Sequence, residues 1–167
     1  MPSRLVFDKP IEAVSHILKV FAGLKELKGL DAILDRILEE SRKLAGADAG
    51  SIFLVKDGRL HFSYVHNDTL FKAEDINQHI YLNASLPLDE TSIAGYAASR
   101  GKILAFDDAY RIDPTYPYRL NTSFDEKTGY RTMSMLTLPV MNSQRQVAAV
   151  MQIINATDES GRPVPFS

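Results

Sequence analysis

NTSFDEKTGYRTMSMLTLPVMNSQRQVAAVMQIIN, residues Asn121–Asn155, is the stretch whose reading decides the fold. Met133 to Val140 and Val147 to Ile154 are strand-length apolar runs, and Met141 to Gln146 between them is a polar connection of hairpin length. The two runs are expected to pair antiparallel. Just ahead of them, Asp125, Glu126, Lys127, Thr128, Arg131 and Thr132 gather around Gly129. Such a composition makes a turn and collects groups that can bind a polar ligand.

Upstream, Ile103 to Phe106 reads as a short strand, followed from Asp107 to Asn121 by an irregular loop with Pro114, Pro117 and three tyrosines, long enough to be functional. Leu86-Pro87-Leu88 is extended. Thr91 or Ser92 can cap a helix through Ile93, Ala94, Tyr96, Ala97 and Ala98 that stops at Gly101. Ser51 to Val55 is an apolar strand, and Asp57-Gly58 signals a tight hairpin because a primed turn needs positive φ angles. The partner strand alternates Leu60, Phe62 and Tyr64 against His61, Ser63 and Val65. Asn67 to Asn83 is polar, with a short helix around Leu70 to Asp75, and is expected to fold over the sheet as a lid. Asp31 is expected to cap a helix whose apolar face is Leu30, Ile33, Leu34, Ile37, Leu38 and Leu44, with Arg42 and Lys43 near its end and Gly46 beyond. Before it, Ile11, Val14, Leu18 and Phe21 form the stripe of an N-terminal helix that packs inward or serves as a dimer contact.

The order of elements predicts an α+β domain, with a mainly antiparallel sheet carrying helices on one face and a loop-covered ligand cavity on the other. At 167 residues and 45% hydrophobic, one domain with a sizeable core is expected. Residues 1–28 are read as an N-terminal helix or linker and 29–167 as the globular part. With no cysteine, disulfides, thiolate metal sites and thiol catalysis are excluded, and a cytoplasmic setting is expected. The net charge of -2 argues against a nucleic-acid surface. No apolar run reaches membrane-spanning length. His16, His61, His66 and His79 lack metal-ligand spacing, so no metal is expected. No nucleophile elbow, phosphate-binding glycine loop or carboxylate pair with a base partner is present, so no catalytic role is expected.

The runs LPLDETSIAGYAASRGKILAFDDAY and SFDEKTGYRTMSMLTLPV resemble a GAF domain. The likeness covers the chain from about Leu30 onward. Within that superfamily it is most similar to the cyclic-nucleotide-binding GAF domains of animal phosphodiesterases and bacterial adenylate cyclases, and to bacterial GAF domains fused to HD-type phosphohydrolases. The resemblance implies a regulatory sensor that binds a small ligand, cyclic AMP or cyclic GMP, with no other cofactor, and controls an adjoining output domain. The apolar stripe of the N-terminal helix is expected to be the homodimer contact and the transmitter to that output domain. A ligand-free dimerisation scaffold is the alternative reading.

The resemblance also implies a set of ligand-binding residues. Ser51 at the start of the first strand would face the base. The backbone amides of Ile93 and Ala94 would hold the cyclic phosphate, and Asp125, Thr128 and Thr132 would contact the nucleotide. Gln152 stands where some members carry glutamate. The end of the second strand reads Val65-His66-Asn67 and departs from the family's aromatic-polar pair, leaving His66 as the candidate there. A second family signature, an Asn-Lys pair followed by Phe and two acidic residues, is half present: Asn155 and Phe166 match, Ala156 replaces the lysine, and the C-terminal helix is missing. The chain is therefore expected to be a piece of a longer regulatory protein.

These assignments are physically reasonable. Helix N-termini present free N–H groups and a favourable dipole to anions. A carboxylate, threonine hydroxyls and an amide suit the edge of a purine, and Gln152 interrupts an apolar strand, which a cavity-facing position explains.

Overall fold

The computed structural model describes residues 29–71, 81 and 84–166. The expected N-terminal helix and most of the lid lie outside the described residues. Among the described residues, the elements in chain order are α1 (Leu30–Ala45), β1 (Ala47–Lys56), β2 (Arg59–Asn67), β3 (Ser85–Pro87), α2 (Ile93–Arg100), β4 (Leu104–Phe106), a 3-10 turn (Ala109–Arg111), α3 (Ser123–Thr128), β5 (Met135–Met141), β6 (Val147–Thr157) and β7 (Pro163–Val164). The strands form one antiparallel sheet in the order β3-β2-β1-β6-β5-β4, with β7 paired to the end of β6.

The turns form where backbone chemistry demands them. Asp57 and Gly58 both have positive φ, 50° and 70°, which closes the β1–β2 hairpin with Lys56 opposite Arg59 in a primed geometry that matches the twist of the strands. Asn142 organises the β5–β6 turn, its Oδ1 accepting the N–H groups of Gln144 and Gln146.

Alternation along the central strands sends neighbouring residues to opposite faces. Ile52, Ala149, Met151 and Ile153 pack with Leu38 of α1, while Phe53, Leu60 and Val150 pack with Ala94 and Ala98 of α2. The α+β class and the antiparallel sheet are as expected, with one difference in layering. Rather than joining α1, α2 lies on the cavity's face of the sheet, because its small Ala94 and Ala98 fit against Phe53 and Val150 there.

Three local expectations also change. Asp31 does not cap α1; the cap position is Gly29, and Asp31 sits inside the first turn, where it accepts the Tyr64 hydroxyl. Leu44 is exposed, because it falls beyond the stripe that Leu34, Ile37 and Leu38 turn towards the sheet. In β2 the alternation breaks at a bulge: Ile52 pairs with Tyr64 and Phe53 with Phe62, leaving Ser63 extra. A bulge resets the phase of side chains. Phe62 therefore faces the α2 side and Tyr64 faces α1.

The stretch read as a polar turn before β5 contains α3, which ends at Gly129 with φ 72°. Among the described residues no helix is long and apolar enough to cross a membrane.

Candidate functional site

The cavity lies between the β1/β6 face of the sheet, the start of α2 and the α3 segment. Its volume is about 90 Å³.

A row of polar side chains crosses three strands at the floor, and two of them, Ser51 and Gln152, line the cavity. Ser51 on β1 stands opposite Gln152 on β6, which stands opposite Thr137 on β5. Directly opposed residues share a face, so all three point to the same side. They are 4%, 8% and 0% exposed, an unusual burial for polar groups unless each has a partner or a ligand. Gln152 Nε2 donates to Thr137 Oγ1 at 3.2 Å and to Met135 Sδ at 3.4 Å. No described residue donates to Gln152 Oε1, and Ser51 Oγ has no described side-chain partner.

The roof is aromatic. Tyr81 and Phe124 stack with centroids 4.8 Å apart at 15°, and Phe62 meets Phe124 edge-on at 5.1 Å. Burial, with the Asp125 charge second, raises the Tyr81 phenol above its ordinary range.

At one end stands the start of α2. Ser92 is the cap, its Oγ accepting the Gly95 N–H at 3.0 Å. Asp89 fixes the approach to the helix by accepting the Thr91 hydroxyl at 2.6 Å and the Thr91 N–H at 2.9 Å, and those bonds hold its carboxyl below the usual range. A bridge between Ser92 and Arg119 ties this corner to the tyrosine-rich loop, with the Arg119 N–H donating to Thr91 O at 3.0 Å. Gly95 is there because α2 lies against the chain before it: a Cβ would come within 2.2 Å of Asp89 O. The glycine of SIAG is thus set by close backbone approach.

At the other end, Asp125 on α3 accepts the Thr132 N–H at 2.7 Å, the Thr132 hydroxyl at 2.9 Å and the Tyr110 hydroxyl at 2.8 Å. The Tyr110 ring lies under the Arg131 guanidinium at 4.2 Å, and Arg131 reaches Asp108 at 3.4 Å. Asp108 itself caps the 3-10 turn, so its carboxylate is engaged by protein groups. Among the described residues no group of three His, Asp or Glu is placed to hold a metal.

Seven of the eight candidates line the cavity: Ser51, His66, Ile93, Ala94, Asp125, Thr132 and Gln152. Thr128 does not. Its hydroxyl donates to Phe124 O at 2.7 Å and accepts the Tyr130 N–H at 3.2 Å, a role that closes α3. His66 borders the cavity, but its imidazole turns to the α1 face, with Nε2 2.7 Å from Asp35 Oδ1.

Sequence reasoning missed the support beneath the Gly129–Thr132 turn. Tyr130 lines the cavity, and its hydroxyl donates to Asp48 Oδ2 at 2.8 Å and accepts Asn155 Nδ2–H at 2.9 Å. Burial, then the Asp48 charge, raises its phenol far above the ordinary value. Asn155, 2% exposed, also donates to Arg131 O at 2.8 Å and accepts the Met133 N–H at 2.7 Å. An asparagine directly after the apolar run Val147–Ile154 is the available signal, since its φ of 55° is one that asparagine tolerates. Asp48 is joined to α1, its carbonyl accepting from Arg42, which also pairs with Asp68 at 2.9 Å.

Comparison with known proteins places this geometry in a family. Among solved structures, the chain is similar to the GAF domain of an Acinetobacter phosphoenolpyruvate-protein phosphotransferase (TM-score 0.65, 18% identity, 92% of this chain and 80% of that one). It is also similar to a GAF domain/HD domain protein from Geobacter sulfurreducens (TM-score 0.57, 14% identity, 78% and 77%). Among curated proteins it is similar to the dual 3',5'-cyclic-AMP and -GMP phosphodiesterase 11 of Drosophila melanogaster, 31% identical over 150 residues (86% of this chain, 10% of that protein). A second is the probable 3',5'-cyclic phosphodiesterase pde-5 of Caenorhabditis elegans, 29% identical over 138 residues (80% of this chain, 18% of that protein). The chain therefore spans less than a fifth of the length of these relatives. Residues 29–167 match the GAF domain family, and with the fold and cavity described above, the chain belongs to that family.

Proposed function

We propose that this chain is the sensory unit of a signalling protein: its cavity takes a cyclic nucleotide, cyclic AMP or cyclic GMP, and occupancy controls an adjoining output domain. The observation that carries the reading is the cavity floor, where Ser51 and Gln152 line the cavity with no described side chain bonded to Ser51 Oγ or Gln152 Oε1, beneath the stacked Tyr81 and Phe124. Buried polar groups call for partners, and a purine edge supplies them while its faces meet the aromatic roof. The start of α2 offers the phosphate a helix N-terminus. The names of the curated relatives support the same ligand class.

The cavity of about 90 Å³ is below the roughly 300–1,000 Å³ of ordinary ligand clefts. Binding in this reading therefore parts the Tyr81–Phe124 stack, and that rearrangement is the differential interaction an output switch requires. Hydrolysis of cyclic nucleotides or cyclic di-GMP, or nucleotide cyclisation, belongs here to another domain of the parent protein.

Thermal unfolding with cyclic AMP, cyclic GMP, cyclic di-GMP and the linear monophosphates tests this. A ligand at a hundred times its dissociation constant adds roughly 2.7 kcal/mol, a rise of about 5–10 °C at this size. A selective shift with one cyclic nucleotide is expected, and no shift with any of them refutes the ligand class.

A second reading, a ligand-free interaction scaffold, is favoured by two observations. Asp125 already accepts three internal hydrogen bonds, and Ile103, Val140 and Met141 are 65%, 44% and 49% exposed. Oligomerisation without any ligand shift supports it.

A further inference from the structure

The cavity floor has a fixed polarity, and a residue outside the family-derived set fixes it. Gln152 can present either end of its amide to a ligand, and the choice decides whether the floor accepts or donates. Its Nε2 faces Thr137 Oγ1 at 3.2 Å and Met135 Sδ at 3.4 Å. A thioether has lone pairs and no proton, so the nitrogen end belongs on that side and Oε1 is turned to the cavity. Thr137 is fully buried and paired directly across β5–β6 from Gln152. A hydroxyl can donate or accept, so Met135 Sδ sets which end of the amide faces this side, and Thr137 Oγ1, accepting at 3.2 Å, supplies the stronger of the two bonds that hold the nitrogen there.

We propose that Thr137 is a positioning residue that locks the Gln152 amide so that Oε1, beside the Ser51 hydroxyl, selects ligands with an N–H donor on the edge facing the floor. The inference rests on the nucleotide reading above for its ligand and on the amide geometry for its mechanism. Both adenine and guanine carry such a donor, on N6 and on N1 and N2. An unsubstituted purine carries none, and it leaves Oε1 buried and unpaired, a cost that is large in a dry site. With the nitrogen end free to swing into the cavity, the floor offers a donor to ring nitrogens and the distinction fades.

The test compares two variants with the wild-type chain. Thr137→Val keeps the shape and removes the hydroxyl; Thr137→Ser keeps the hydroxyl. The probes are cyclic AMP, cyclic GMP and purine riboside 3',5'-cyclic monophosphate, with binding measured by calorimetry. The wild type is expected to bind its preferred natural nucleotide on the order of tenfold or more tightly than the unsubstituted purine. Thr137→Ser keeps that ratio, and Thr137→Val collapses it to within about threefold. Full discrimination in Thr137→Val overturns the proposal.

If no cyclic nucleotide binds the wild type, the nucleotide reading fails, and the positioning claim is judged on the unliganded protein. The Gln152 side-chain NH2 resonances, assigned by their loss in Gln152→Glu, then exchange slowly with solvent in wild type and Thr137→Ser and rapidly in Thr137→Val. Equal exchange in all three overturns it.

Discussion

Replacing Gly95 by alanine sets two physical effects against each other, and the structure says which prevails. By helix propensity alone, Gly95→Ala inside α2 stabilises by about 1 kcal/mol. The added Cβ, however, would lie 2.2 Å from Asp89 O, 2.9 Å from Ser92 Oγ and 3.1 Å from Pro87 O. A relaxed carbon–oxygen contact is roughly 3.3 Å, so the helix must retreat from Asp89 by about 1 Å. Two of the three obstacles are backbone and cannot rotate away. Overpacking of this kind costs about 1–3 kcal/mol, and disturbing the Ser92 cap costs about 1 kcal/mol more. The net expectation is a loss of about 1–3 kcal/mol, or roughly 2–10 °C in melting temperature. Urea unfolding followed by far-ultraviolet circular dichroism measures it, with Ser99→Gly as control. Ser99 is exposed in the same helix, so that variant should lose only the serine-to-glycine propensity difference of about 0.5 kcal/mol. If Gly95→Ala proves as stable as the parent or more so, the close approach of α2 to the Pro87–Asp89 chain is not what selects glycine.

Asn155→Ala is expected to cost about 3 kcal/mol, because it leaves the half-buried Met133 N–H and Arg131 O without their partner and puts alanine at positive φ; a denaturant midpoint within error of the parent contradicts this. Asp125→Ala removes three hydrogen bonds, including that of the Thr132 N–H, and should destabilise the chain by about 2 kcal/mol as well as abolish any cyclic-nucleotide shift. Unchanged stability would mean that the Tyr110–Asp125–Thr132 cluster does not hold the segment. The bonds from the Ser160 hydroxyl and the Arg162 and Ser160 N–H groups bring the Asp158 carboxyl down to about 2. A depressed pKa contributes stability that is present above the unfolded value near 3.8 and is lost as pH falls through about 2. Asp158→Asn should therefore flatten the fall in melting temperature between roughly pH 4 and pH 2, and identical profiles refute the assignment.

Much of the fold is legible in the sequence because local chemistry and global pairing agree. Asp57-Gly58 can only be a tight turn beside two apolar runs, Gly46 and Gly101 end helices with φ 59° and 60°, and Ser92 caps where the pattern changes period. Pattern alone misplaces Tyr64 because a bulge leaves no mark on hydrophobicity: Ser63 is one more polar residue until its partner strand is seen. It misplaces Asp31 because a carboxylate in the first turn and one at the cap look alike in sequence, and only the tertiary partner, Tyr64, tells them apart. Within the site, Ser51, Ile93, Ala94, Asp125, Thr132 and Gln152 follow from the family likeness, while the aromatic roof of Tyr81 and Phe124 does not. Tyr130 and Asp48 do not, and of Asn155 the likeness gives the residue but not its role, since these hydrogen bonds join positions far apart in sequence. Thr128 shows the converse: a threonine beside functional neighbours whose hydroxyl is used within its own turn.

The two strands at the centre of the sheet come from opposite ends of the described chain, Ala47 of β1 pairing with Ala156 of β6. Contacts of such range are slow to form, because a long loop must close before they give any return. During synthesis, β1, β2 and α1 leave the ribosome with Ile52, Phe53 and Leu38 uncovered until almost the whole domain has been made. The hairpin and helix therefore need shielding for that interval. Fragments that stop before Val147 should be insoluble or held by chaperones, whatever helices and hairpins they contain. Any larger protein that carries this domain inherits the same all-or-none requirement.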